Sequence, residues 1–205
     1  MKILCISDTE AGPELLKKWL AICKKDLESS DKIFHLGDGI KNVKKLFLKH
    51  KVIYVKGNHD TYLDCENKEY RFNFRNLSFF LVHGRRKNLF LEKLNIWSNY
   101  IRRAFKLPPN LNGYYRQLFK KYGGQYNIVL YGHMHNPRID VKRNTIFFCP
   151  GSFSLKNFTK TATYGIIEVS EKNKKQMTFK IFSIDDKLKK IFLKTHYPNL
   201  LPKIT

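Results

Sequence analysis

Residues 32–60 read KIFHLGDGIKNVKKLFLKHKVIYVKGNHD, and the order of apolar runs and turns within them decides the fold. Lys32–Leu36 is a short apolar run suited to a buried strand, closed by Gly37-Asp38-Gly39. Val43, Leu46 and Phe47 then recur at helical spacing, and Lys51–Lys56 is a further strand ending in Gly57-Asn58-His59-Asp60. Upstream the theme repeats: strand Lys2–Ser7, the polar loop Asp8-Thr9-Glu10-Ala11-Gly12, and a helix opened by Pro13, where a missing N–H costs nothing. Leu15, Leu16, Trp19, Leu20, Ile22 and Cys23 mark one apolar side of that helix. Such alternation signals an α/β fold around a sheet of parallel strands.

Downstream, Tyr70–Phe74 and Leu77–Val82, separated by Arg75-Asn76, predict a hairpin whose second strand ends in His83-Gly84. Asn127–Tyr131 closes with Gly132-His133-Met134-His135, and Asn144–Phe148 leads into Pro150-Gly151-Ser152. Thr163–Val169, Met177–Ile184 and Leu188–Leu193 read as further strands, with turns at 172–175 and at Asp185-Asp186.

The 205 residues suit a single domain, and 42% hydrophobic content with 16 Phe and 11 Tyr excludes a disordered chain. No run approaches ~18 uninterrupted apolar residues, which excludes a spanning helix. The N-terminal run is short for a signal peptide, so the expected compartment is the cytoplasm. Four cysteines without a CxxC pair are expected as reduced thiols. A net charge of +22 predicts attraction to polyanions, namely nucleic acid, an anionic membrane surface or phosphorylated substrates. A lysine-rich solvated surface explains the same charge without a partner, and no pattern specifies an oligomeric state.

Each polar cluster sits where a strand ends, the place where ligand-binding loops of α/β sheets converge. Asp8, Glu10, Asp38, Asn58, His83, His133 and His135 together offer three carboxylates, one amide and three imidazoles. Such an oxygen-and-imidazole set suits Mn, Fe or Zn better than all-oxygen Mg or Ca sites. Singly, an Asp after a strand is usually a cap or turn former, and a strand-end His usually a surface or core residue. Two imidazoles at i and i+2 on a glycine turn, with four other such loops, have no comparable structural explanation.

These loops, Asp8-Thr9-Glu10, Gly37-Asp38, Gly57-Asn58-His59-Asp60, His83-Gly84 and Gly132-His133-Met134-His135, resemble the ordered signature of the calcineurin-like metallophosphoesterases. The compact size is similar to the small YfcE-type branch, which includes the retromer subunit of the same fold. The resemblance covers about residues 1–170. It implies a four-layer α/β/β/α metallophosphoesterase sandwich and hydrolysis of phosphomonoester or phosphodiester bonds by a water activated by two metals. It further implies that Asp38 bridges two divalent ions, that Asp8, Glu10 and His135 complete one site, and that Asn58, His83 and His133 complete the other. His59 would contact the phosphate as general acid or charge stabiliser. Manganese is the expected metal, with Fe, Ni or Zn as alternatives. The family's first motif is Asp-x-His, so Glu10 departs from it and adds a negative charge, which predicts a less acidic bridging water and harder ions. His35, just before Asp38, reads as a packed strand histidine in preference to a supporting partner of the metal ligands, and Ser152 as a weak candidate for substrate contact.

An insert at about 85–125 separates His83 from His133. Phe90, Leu94, Trp97, Ile101 and Ala104 form a helical face, and residues 85–121 hold ten Lys or Arg against Glu92 alone. This predicts a basic helical cap over the site, with Arg85 and Arg86 pairing with substrate phosphate. Its aromatic residues could stack bases or contact lipid, although packing of Trp97 and Phe105 onto the core is the simpler expectation. Nucleotides or nucleic acid are the substrates the charge favours. The alternatives are a catalytically weak protein-interaction scaffold, and an enzyme similar to the UDP-sugar-lipid pyrophosphatases, for which the insert is short.

Overall fold

A computed structural model of the chain describes residues 1–47, 50–84, 110–155, 161–170, 176–185 and 189–197, with residues 94, 97, 98, 101, 102 and 105. The first part alternates as expected: β1 (Lys2–Ile6), α1 (Pro13–Ile22), α2 (Lys24–Glu28), β2 (Lys32–His35), α3 (Ile40–Lys44) and β3 (Val52–Tyr54). Next come β4 (Glu69–Phe74), β5 (Leu77–Val82), α4 (Asn112–Tyr122), β6 (Ile128–Tyr131), β7 (Arg138–Lys142) and β8 (Thr145–Cys149). The last strands are β9 (Ala162–Val169), β10 (Met177–Ile184) and β11 (Lys189–Tyr197).

Two sheets form, ordered β11-β10-β9-β1-β2-β3 and β4-β5-β6-β8-β7. β1, β2 and β3 are parallel, as are β5, β6 and β8. Both sheets are nonetheless mixed. β9 returns antiparallel to β1, with Leu4 opposite Ile166, and β4 and β7 are antiparallel edges of the second sheet. β7 has no counterpart among the expected strands. As an edge strand, its RIDVK sequence can keep charges in water on one side.

The apolar faces of the two sheets meet in one core that includes Cys5, Phe34, Leu81, Leu130, Phe148 and Phe179. Each large side chain buried there stabilises the fold by roughly 1.5–3 kcal/mol. On the outer side of the first sheet, Leu16, Trp19, Cys23, Leu27, Val43 and Phe47 pack against Leu4, Ile6, Tyr164 and Ile166. On the outer side of the second, Tyr114, Tyr115, Leu118 and Tyr122 of α4 cover Phe80, Val129, Tyr131 and Phe147. The layers therefore run helices, sheet, sheet, helix.

The end of the expected insert, Asn112–Tyr122, thus supplies the fourth layer. Of its start, residues 94, 97, 98, 101 and 102 are helical. Trp97 and Phe105 do not pack onto the core as expected: they are 65% and 73% exposed. Phe90, Ala104 and the turn at 172–175 lie outside the described residues, as does Asp186.

Candidate metal centre

Six parallel strands point their carboxyl ends the same way within their sheets, and the loops leaving them carry the polar clusters. The first sheet presents Asp8 and Glu10 after β1, Asp38 after β2, and Asn58 and His59 beyond β3. The second presents His83 after β5 and His133 and His135 after β6. Asp8, Asp38, His133 and His135 all have φ between 50° and 71°, the left-handed region that side chains rarely adopt. Backbone strain of this kind gathers at sites whose geometry the surrounding structure dictates.

Close approach explains two glycines. A Cβ on Gly57 would lie 2.0 Å from Asp38 Oδ1, and one on Gly132 would lie 2.0 Å from Ser7 Oγ and 3.1 Å from Asp8 Oδ2. Only a bare backbone lets these loops reach the carboxylates.

Among the described residues, ligand atoms of Asp38, His83 and His133 lie within 4.8 Å of one another, and so do those of Glu10, Asp38 and His59. Asp38 belongs to both groups. The geometry around His83 indicates what the first group could hold. The Leu36 carbonyl, 2.7 Å from Nδ1, can only accept, so Nδ1 carries hydrogen and the Nε2 lone pair faces inward. Nε2 is 3.0 Å from Asn58 Oδ1 and 3.1 Å from Asp38 Oδ2. Three electron-rich atoms converge there and need one positive charge between them: a proton in the metal-free chain, or a divalent cation. The donors fit a metal.

Asp8 is fully buried; its Oδ2 accepts the Ser7 hydroxyl and the His133 N–H, and its Oδ1 faces His135 Nε2 at 3.1 Å. Glu10 gathers with Asp38 and His59, so it reaches inward, while Asp8 and His135 pair with each other. Arg85 and Arg86 lie outside the described residues.

A sequence model of the calcineurin-like phosphoesterase superfamily domain matches residues 1–172. The chain belongs to that superfamily. Among solved structures, vacuolar protein sorting 29 from Cryptosporidium parvum matches at TM-score 0.63 and 16% identity, covering 96% of this chain and 97% of that one. The phosphoesterase YfcE from E. coli matches at 0.60 and 20%, covering 95% and 98%. An archaeal phosphodiesterase matches at 0.58 and 20%, covering 90% and 100%. At these identities the likeness is one of fold. Comparison with curated proteins finds no match.

Asp60, His35 and Ser152 brace the candidate centre in ways their sequence context did not specify. Asp60 is buried, and its carboxylate accepts the N–H groups of Asp38 at 2.7 Å, Gly57 at 2.9 Å and Ile40 at 3.0 Å. It ties the Gly37–Gly39 loop to the Gly57–Asp60 loop; its place beside Asn58-His59 was the available signal. His35 does more than fill the core. The Gly37 N–H donates to its Nδ1 at 3.2 Å, so Nε2–H donates to Thr9 Oγ1 at 2.9 Å, and that hydroxyl donates to the Gly39 carbonyl. Burial lowers the His35 pKa to about 4 despite the Asp60 and Asp8 charges, which keeps the imidazole neutral in this role. Ser152 is buried and donates to the Asp8 carbonyl at 3.0 Å, bracing a ligand loop instead of meeting solvent.

Burial alone would raise Asp8, but hydrogen bonding to His135, the His135 and His83 charges and the Ser7 hydroxyl bring it down to about 2. Burial alone would lower His83, yet the Asp38 hydrogen bond and the Asp8 and Asp38 charges raise it from 6.5 to about 9. In the metal-free chain that proton stabilises the fold fully below 6.5, and the contribution is lost as pH rises through about 9. A cation taking Nε2 must displace the proton. Uptake of Mn2+ at pH 7.5 is therefore expected to release about one proton from this group, with affinity rising until pH reaches about 9. Calorimetric titrations in buffers of different ionisation enthalpy count the protons; a count near zero would exclude His83 as a ligand.

Proposed function

We propose that the protein is a phosphoesterase that uses two divalent cations to hydrolyse phosphomonoester or phosphodiester bonds, with nucleotides or oligonucleotides as the favoured substrates. One observation carries this reading: a single buried carboxylate, Asp38, belongs to both three-donor groups. Asp38, Asn58, His83 and His133 would hold one cation, and Asp38 and Glu10, with the Asp8–His135 pair, the other. When bound, such a pair lowers the pKa of the attacking water and neutralises charge on the phosphoryl oxygens.

The chain's own groups position and complete that chemistry. The His59 N–H holds Asp38 Oδ1 at 2.7 Å, which leaves Oδ2 to face the donor groups. The His59 imidazole is 67% exposed and stands 4.0 Å from Asp38 Oδ2, at the edge of a cleft. There it can donate to a phosphoryl oxygen or protonate the leaving oxygen. The cleft, of about 420 Å3, is lined by Glu10, Gly39, Lys41, Asn42 and Asp60. That volume suits a small ligand, and Lys41 supplies a positive charge for a phosphate. Glu10 brings a third carboxylate to the centre, which favours hard ions such as Mn over softer ones.

The test is a screen of mono- and diester substrates with Mn2+, Fe2+, Ni2+ or Zn2+ against wild type and His59→Ala. His59→Ala is expected to lower kcat by roughly 10²–10⁴-fold; metal analysis of the variant separates a phosphate-contacting His59, with both ions kept, from a donor to the second cation, with one ion lost. If wild type is inert with every metal and substrate, the scaffold reading, consistent with the likeness to vacuolar protein sorting 29, takes its place.

A further inference from the structure

Leu94, Trp97, Ile101 and Phe105 are 46%, 65%, 40% and 73% exposed, an unusual fate for four large apolar side chains close together in sequence. Leu94, Trp97 and Ile101 are helical, and the Phe105 N–H donates to the Ile101 carbonyl at 3.2 Å. At 3.6 residues per turn the four positions fall within about 80° of arc, so they make one stripe. The core does not use this stripe. Its chemistry is specific: an indole, a phenyl ring and two branched aliphatic chains, in a stretch (85–121) with ten Lys or Arg and one acid.

We propose that this stripe is a docking surface for an anionic lipid bilayer, entering the boundary between headgroups and acyl chains, while the protein's net charge of +22 draws the anionic surface to it. Charge complementarity selects the occupant. An apolar helix face within a strongly basic segment is the composition that lies in a bilayer interface, where tryptophan is also favoured. A second copy of the chain is disfavoured because each copy carries +22. Nucleic acid would reward bases stacked on aromatic rings but gives Leu94 and Ile101 nothing to bury against.

The tryptophans provide the readout, because Trp19 is buried at 2% exposure and Trp97 lies open at 65%. Full-length protein is mixed with vesicles of phosphatidylcholine containing about 30% phosphatidylserine, or of phosphatidylcholine alone. Co-sedimentation with the anionic vesicles is expected to be at least about tenfold stronger, with a blue shift of emission that Trp97→Phe removes. The double variant Trp97→Ala/Phe105→Ala is expected to weaken that binding about tenfold or more. Both side chains are exposed, so its thermal midpoint should match wild type. Absence of binding to anionic vesicles overturns the proposal, and so does binding that the double variant retains in full. Concentration-dependent self-association that the double variant abolishes, without vesicles present, assigns the stripe to a second copy and equally overturns it. None of these readouts requires hydrolysis, so they stand apart from the phosphoesterase reading.

Discussion

Asp38→Asn is expected to abolish binding of both cations and to lower kcat/KM by at least about a thousandfold, because the loss removes several kcal/mol of charge stabilisation. The substitution is nearly isosteric, and the local bonding dictates its effect. Oδ1 accepts the His59 N–H, so the asparagine oxygen takes that position and its NH2 replaces Oδ2. The NH2 then donates to His83 Nε2, which the carboxylate now faces at 3.1 Å. The pair becomes satisfied without any added positive charge. The lone pairs available to an ion are consumed, and His83 loses the main influence that holds its pKa up. The fold should therefore survive, with a thermal midpoint near that of the metal-free wild type. Mn2+ should raise the wild-type midpoint and leave the variant unmoved, since only a ligand that binds the native state stabilises it. Metal analysis finding two ions per chain in Asp38→Asn would remove the basis for a shared donor.

Asp60→Ala is expected to cost about 3–5 kcal/mol of stability, the usual effect of deleting one partner of a buried charge-assisted cluster. For a chain of this size that corresponds to a fall in midpoint of roughly 10 °C. Three backbone N–H groups in two loops would lose their common acceptor. Asp60→Asn should recover little, because an amide offers one oxygen and turns an N–H toward a donor. Metal affinity should fall together with stability, since Asp60 helps hold Asp38 at φ 59° and Gly57 against its carboxylate. Thermal unfolding within about 1 kcal/mol of wild type would show that solvent replaces these bonds and that the clamp is unimportant.

How far the sequence could be read depended on the range of the interactions. The strands around Gly37-Asp38, Gly57-Asn58 and Gly132-His133 are legible because apolar runs ending in glycine turns are local signals. β7 is not, because its charged sequence is acceptable only at an edge, and the edge is fixed by pairing with β8. That the candidate donors would gather near Asp38 was legible, whereas the grouping of Glu10 with His59 was not. That grouping depends on where loops from different strands come to rest. The work of Asp60, and the partners that His35 takes, were hidden for the same reason: the partners of both are backbone N–H groups and a hydroxyl whose positions no pattern of side chains reveals. Trp97 was misjudged because helical periodicity identifies an apolar stripe without saying what faces it.

The donors are divided between the two sheets: the carboxylates and the amide stand on loops of the first, and His83, His133 and His135 on loops of the second. Neither sheet carries all of the candidate donors, and the proposed centre is a seam. Its donor spacing is a direct measure of how one sheet is seated on the other. A change in the apolar filling between them, for instance at Phe148 or Phe179, would slide one rim past the other by fractions of an ångström. Cation affinity then becomes a gauge of core alignment, and substitutions deep between the sheets should tune the chemistry without touching it.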